Sequence, residues 1–175
     1  MKIPTIETKN FTLRPFKKGD DLSLRKNINN KKIYKNTLLV PYPYTAKDAK
    51  NWVSINLKEQ KKKKPKEINF VIDVNGEDIG SVGFSNICEF HKAEICNWLA
   101  EKYWNNGIMT EAIKIATKFG FDKLKLKKIY AHVFSFNKAS MRVFEKNNYK
   151  LEGILKKNVK KGDKLVDDYF FAKIK

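Results

Sequence analysis

The chain has 175 residues, 42% apolar and 13% aromatic, which fits one globular domain over residues 1–175 and excludes a disordered polymer. It has no apolar run near the roughly 18 residues of a membrane span, and the polar start MKIPTIETKN does not read as a signal peptide. The net charge of +18 invites a nucleic-acid reading, but Arg14, Arg25 and Arg142 are the only arginines, and phosphate or base recognition favours the guanidinium fork over scattered lysine.

In chain order, NFTLRPF alternates as a strand over about Phe11–Phe16. Asp20 follows the Lys18-Gly19 turn as a candidate N-cap for an amphipathic helix through Leu22, Leu24 and Ile28. The two prolines of TLLVPYPYT make a loop. Thr45, with Asp48 three residues on, opens a second helix that sets Ala49, Trp52, Val53 and Leu57 on one face. The lysine run Lys58–Glu67 reads as a solvated helix end and loop.

Two β-rich runs then flank Asn75-Gly76, a strong hairpin signal. KAEICNWLA alternates as a further strand, and TEAIKIATKFGFDKL has a helical period. KKIYAHVFSF is a strand, NKASMRVFEKNN a helix, and YKLEGILKKNV and KLVDDYFFAKI are strands joined at Lys161-Gly162-Asp163. The order β-α-α-β-β-β-α-β-α-β-β implies an α/β (α+β) domain: a mixed, mostly antiparallel sheet with helices on both faces.

Between the fourth strand and its helix stands KYWNNGIMTEA. Asn-Asn-Gly in front of a helix serves as a plain turn, or presents several backbone N–H groups to a phosphate at the helix N-terminus. Cys88 and Cys96 have neither disulfide-framework nor metal spacing, so a reduced cytoplasm is the expected setting and no metal is expected.

TLRPF, VPYPYTAKDAKNWV, VNGEDIGSVGF, AEICNWLAEKYWNNGIMTEA and NKASMRVFEKNNYKLEG, in this order and spacing, resemble the GNAT superfamily of N-acetyltransferases, nearest the Rim type that acetylates ribosomal-protein N-termini. The resemblance implies acetyl-CoA as cosubstrate and direct attack of a primary amine on the thioester. Its pyrophosphate motif falls on Trp104, Asn105, Asn106, Gly107, Ile108 and Met109, with N–H groups reaching Thr110. Asn105 and Met109 replace smaller residues, although asparagine tolerates a left-handed backbone. In the family the pantetheine arm lies along the fourth strand where the fourth and fifth splay, which points to Asn97, Trp98 and Leu99 as backbone contacts.

By the same resemblance, Glu94 is the expected general base, with Glu111 as the other candidate or a plain first-turn carboxylate. The tyrosine acid of many members falls on Phe144, which has no proton to give. Ser140 takes that place, and Asn137 binds the pantetheine amide, caps the helix, or both. Tyr42, Tyr44 and Trp52 are expected to wall the acceptor site. His91 and His132 read as structural. The expected acceptor is a protein N-terminal α-amine, with a polyamine or aminoglycoside as the alternative and a non-catalytic coenzyme A- or nucleic-acid-binding protein as a further one. Nucleic acid and membrane are not expected partners; a homodimer is admitted by the resemblance.

Overall fold

The structure, a computed structural model, describes residues 3–175, so the first two residues of the expected domain lie outside it. Its elements are β1 (Ile6–Glu7), β2 (Thr12–Arg14), α1 (Asp20–Ile28), α2 (Lys31–Asn36), α3 (Ala46–Glu59), β3 (Ile68–Val74), β4 (Glu77–Cys88), β5 (Lys92–Leu99), α4 (Ile108–Asp122), β6 (Lys128–Phe134), α5 (Lys138–Lys146), β7 (Lys150–Lys161) and β8 (Lys164–Ile174). The strands form one sheet in the order β1-β2-β3-β4-β5-β6-β8-β7. Every pairing is antiparallel except β5 with β6.

Local chemistry accounts for most of these boundaries. Asn75 (φ 54°) and Gly76 (φ 83°) both adopt the left-handed region that a tight β3–β4 hairpin demands, and the Gly76 N–H donates to Asp73 Oδ1 at 2.7 Å. Thr45 and Asp48 form a reciprocal capping box at α3. Asp20, in contrast, is not the N-cap of α1: Gly19 holds that place, and the Asp20 carboxylate turns inward. It accepts from both terminal nitrogens of Arg14 at 2.8 Å, while Arg14 Nε donates to Asp73 at 2.7 Å. Leu22 is 76% exposed and takes no part in the face formed by Leu24 and Ile28.

Side chains alternate across a strand, so one sheet feeds two cores. Phe70, Ile72, Ala93, Ile95, Ile129, Ala131 and Val133 pack with α4 and α5 on one face. Val71 packs with Leu24, Ile28, Ile33, Ala49 and Val53 of α1–α3 on the other, where Trp98 joins them. No helix among the described residues is long and apolar enough to cross a membrane.

Candidate functional site: a forked sheet above a helix N-terminus

Strands β5 and β6 are paired at three positions only: Lys92 with Lys128, Ala93 with Ile129 and Glu94 with Tyr130. Beyond them β5 keeps its partner β4 through Leu99, and β6 keeps β8 through Phe134, but the two no longer pair with each other. This is the splay expected between the fourth and fifth predicted strands. Successive residues of a strand aim their N–H and C=O groups at alternate edges. The Ala100 N–H bonds to the Ile79 carbonyl on the β4 edge, so Asn97 and Leu99 face the fork. Trp98 has the opposite parity: its backbone faces β4 and its ring packs toward α1–α3, so it offers the fork no main-chain contact. The Leu99 carbonyl accepts from Trp104 Nε1 at 2.8 Å, tying the end of β5 to the turn that follows.

That turn holds Asn105 (φ 63°) and Gly107 (φ 75°) in the left-handed region. The first donor to bond back into α4 is the Glu111 N–H, to the Gly107 carbonyl at 3.0 Å. The N–H groups of Asn106, Gly107, Ile108, Met109 and Thr110 have no acceptor among the described residues. Gly107 supplies no side-chain cap, and a Cβ built on it meets no atom within 4 Å. Five free donors, open space in front of them and the positive end of a 15-residue helix fit an anionic group such as a pyrophosphate. Ile108 and Met109 point away, each 8% exposed in the core, so the bulk of Met109 does not enter the turn. Asn106 Nδ2 bonds back to the Trp104 carbonyl at 3.1 Å.

Helix α5 begins on the other side of the fork. Asn137 Oδ1 accepts from the Ser140 N–H at 3.2 Å, which makes it the cap, and its amide N–H₂ has no partner among the described residues. The half-buried Ser140 hydroxyl is likewise unengaged. Phe144 is 2% exposed, meets Tyr149 edge-on and stacks with Phe171, so it is a core residue.

A family model described as Acetyltransferase (GNAT) domain matches residues 10–150. The chain belongs to the GNAT acetyltransferase family. It is 37% identical over 106 residues to the probable N-acetyltransferase YjcK of Bacillus subtilis, covering 58% of this chain and 59% of that protein. It is also 32% identical over 90 residues to the spermidine N(1)-acetyltransferase of Escherichia coli, covering 51% and 48%. Among solved structures it is similar to a GNAT-family acetyltransferase from Bacillus anthracis, with TM-score 0.83, 25% identity and 98% of each chain covered. RimL, the ribosomal L7/L12 α-N-protein acetyltransferase in complex with coenzyme A, shares the fold at TM-score 0.88 and 19% identity over 98% of each chain.

The face of this GNAT fork turned toward α1–α3 carries the polar groups. Glu94, at the last rung, accepts from Asn86 Nδ2 at 3.0 Å. Tyr130, its register partner, has its hydroxyl pKa raised by burial first and then by Glu94 and Cys96. His132 lies two residues further along β6, its Nδ1 2.5 Å from Asp168 Oδ2 on β8. No pattern in the sequence signals that pair, which are 36 residues apart and meet only through the β6–β8 register. His91 sits in the β4–β5 turn, where its carbonyl accepts from Lys127 and Lys128. Glu111 stands half-buried in the first turn of α4.

Of the three aromatics expected at the acceptor wall, Tyr42 is 41% exposed and lies 6.0 Å from Tyr34, ring to ring. Trp52 is half-buried against the α1–α3 core. Tyr44 is 6% exposed within that core, where burial pushes its hydroxyl up to about 12, so it cannot line an acceptor site. A contact unforeseen in the sequence closes this side: Lys161, at the tip of the β7–β8 hairpin, donates to the Thr37 carbonyl at 2.6 Å with Nζ 3.8 Å above the Tyr34 ring. No cluster of metal-ligating side chains occurs among the described residues.

Proposed function

We propose that this chain is an acetyl-CoA-dependent N-acetyltransferase that moves the acetyl group to a primary amine by direct attack. The observation that carries the proposal is the three-rung fork ending at a helix whose first N–H groups are free. In this reading the N–H groups from Asn106 to Thr110 hold the pyrophosphate, and the pantetheine arm lies in the fork as an added strand on Asn97 and Leu99. The Asn137 amide reaches the arm. When bound, acetyl-CoA supplies the activated acyl group. Glu94 removes a proton from the acceptor, a main-chain N–H of β5 steadies the oxyanion, and Ser140 gives a proton toward the departing sulfur.

For the acceptor we favour a protein N-terminal α-amine. Its pKa near 8, against about 10 for an alkylamine, leaves more neutral nucleophile at ordinary pH. A chain of net charge +18 also repels a polycation at long range. The second reading, a polyamine, is supported by the likeness to the spermidine enzyme. The test is calorimetric titration with acetyl-CoA, coenzyme A and a nucleotide lacking the arm, followed by acetylation assays on free-α-amine peptides and spermidine. Binding that needs both pyrophosphate and arm is expected; no binding would remove the proposal.

A further inference from the structure

A protonated amine that becomes an amide sheds two protons. One ends on the coenzyme sulfur and the other must leave for solvent. Glu94 and Ser140 account for one proton acceptor and one donor, which leaves the outward path without a carrier.

His132 stands on the opposite arm of the fork from Glu94. Parallel register partners share a face, so Glu94, Tyr130 and His132 all look toward α1–α3. The imidazole is set edge-on against two rings that stack on each other, Tyr130 at 5.8 Å and Phe170 at 5.1 Å, and its side chain is 34% exposed. Behind it Asp168 is 1% exposed, with Oδ1 unpartnered among the described residues. A carboxylate buried this far, with no Lys or Arg on it among the described residues, needs every donor it can reach. Among those residues it has two: His132 at Nδ1 and Asn158 Nδ2 at 3.1 Å.

Asn158 arrives there through a bulge. Between the pairs Leu155–Asp168 and Val159–Val166, three residues of β7 face Asp167 alone. Lys157 takes φ 51° and its N–H donates to Asp167 Oδ1 at 2.9 Å. Bulges re-aim side chains beside functional sites, and this one aims Asn158 at the carboxylate that holds the imidazole. With its proton on Nδ1 against Asp168, the ring presents the Nε2 lone pair to the open side.

Resting on the acetyltransferase reading, we propose that His132 is a catalytic base for the acceptor amine, with Asp168 and Asn158 as positioning residues. Glu94 takes the first proton of the ammonium, and the second leaves the nitrogen for Nε2 as the N–C bond forms. The oxyanion then collapses, the C–S electron pair leaves on sulfur with the proton that Ser140 gives, and Ser140 recovers one from water. Asp168 stabilises the imidazolium until the exposed edge returns the proton to water. The titratable and charged groups around it are Tyr130 and Lys128 on β6, Asp168 on β8, Glu152 on β7, and Glu94, Cys96 and Lys92 on β5.

The test compares the parent with His132→Gln and Asp168→Asn, using spermidine and a free-α-amine peptide as acceptors over roughly pH 6 to 9. His132→Gln is expected to lose about 100-fold in kcat near neutrality with KM for acetyl-CoA unchanged, and to recover as the amine deprotonates itself at high pH. Asp168→Asn is expected to lose about tenfold or more, with its pH profile displaced. Nitrogen-15 NMR of the parent imidazole needs no acceptor and is expected to show the proton on Nδ1. Rates within about twofold of the parent at every pH, or a proton on Nε2, would overturn the assignment. In the first case the enzyme still acetylates, so only His132 loses its role. A parent that binds no coenzyme fails at the earlier step and takes this proposal with it.

Discussion

The Asn147 side-chain amide, just past the end of α5, donates to the Thr110 carbonyl in the first turn of α4 at 3.1 Å. A second bond at 2.9 Å reaches the Val143 carbonyl, and the residue is 6% exposed. The helix that carries Ser140 and the turn that presents the free N–H groups are therefore tied by a direct side-chain bond. Asn147→Leu removes both of these bonds and should cost about 1–3 kcal/mol of stability. Coenzyme affinity should fall by about tenfold as the turn loosens. Thermal unfolding and calorimetry on one sample separate the two; a fall in Tm alone would mean the turn holds its shape unaided.

Gly107 combines a left-handed φ of 75° with empty space where a side chain would begin. Gly107→Val should strain the backbone by about 1–2 kcal/mol and abolish coenzyme binding. Gly107→Asn is the informative companion, since asparagine accepts the φ but still fills the space. Weakened binding in both variants locates the anion at this turn; binding retained in Gly107→Asn would show that only the backbone conformation matters.

Glu94→Gln keeps an oxygen for Asn86 while removing the basic group. Turnover should drop about 100-fold, with coenzyme affinity changed by less than about twofold. Ser140→Ala should have a smaller effect, under about tenfold, because a coenzyme thiolate leaves without much help. Steady-state kinetics at several acetyl-CoA concentrations would show it. An unaltered kcat in Glu94→Gln would take that residue out of the chemistry.

Asp78 gives a stability prediction with a definite sign. It is fully buried, its Oδ1 accepts from the Gly80 N–H at 3.1 Å, and Oδ2 has no partner among the described residues. Burial, then the charges of Asp20 and Asp73, hold its carboxyl well above the ordinary carboxylate range despite Gly80 and Arg14. The folded state thus keeps a proton that the unfolded chain releases near pH 4. Its contribution is fully present below that pH and is lost as pH rises toward the folded value. Asp78→Asn cannot ionise, so its Tm should gain on the parent between about pH 5 and 8. Parallel curves would mean that Asp78 titrates like an exposed group.

Where the chain's own patterns set structure, the sequence was legible. Asn75-Gly76, Thr45 with Asp48, and the left-handed Asn105 all act through their immediate neighbours. Helix α2 was not legible: six residues contribute one buried side chain, Ile33, and no period can be read from one position. Strand β1 has two residues and exists only through β2. Tyr44 and Tyr42 stand two residues apart in a proline-rich loop, and only the packing shows that one is core and the other surface. His132 with Asp168 needs both a strand register and a distant bulge, and neither leaves a mark in composition or spacing.

The shortness of the β5–β6 contact has a consequence for the molecule as a solid object. Past Glu94 the middle of the sheet contains two unpaired edges, facing each other instead of solvent. An open edge normally invites another chain to pair with it. Here each edge faces its counterpart, and an extended molecule lying between them would find donors and acceptors on both sides. Amide exchange should reveal this seam as a line of labile N–H groups through the centre of the domain, flanked by slowly exchanging β4 and β8.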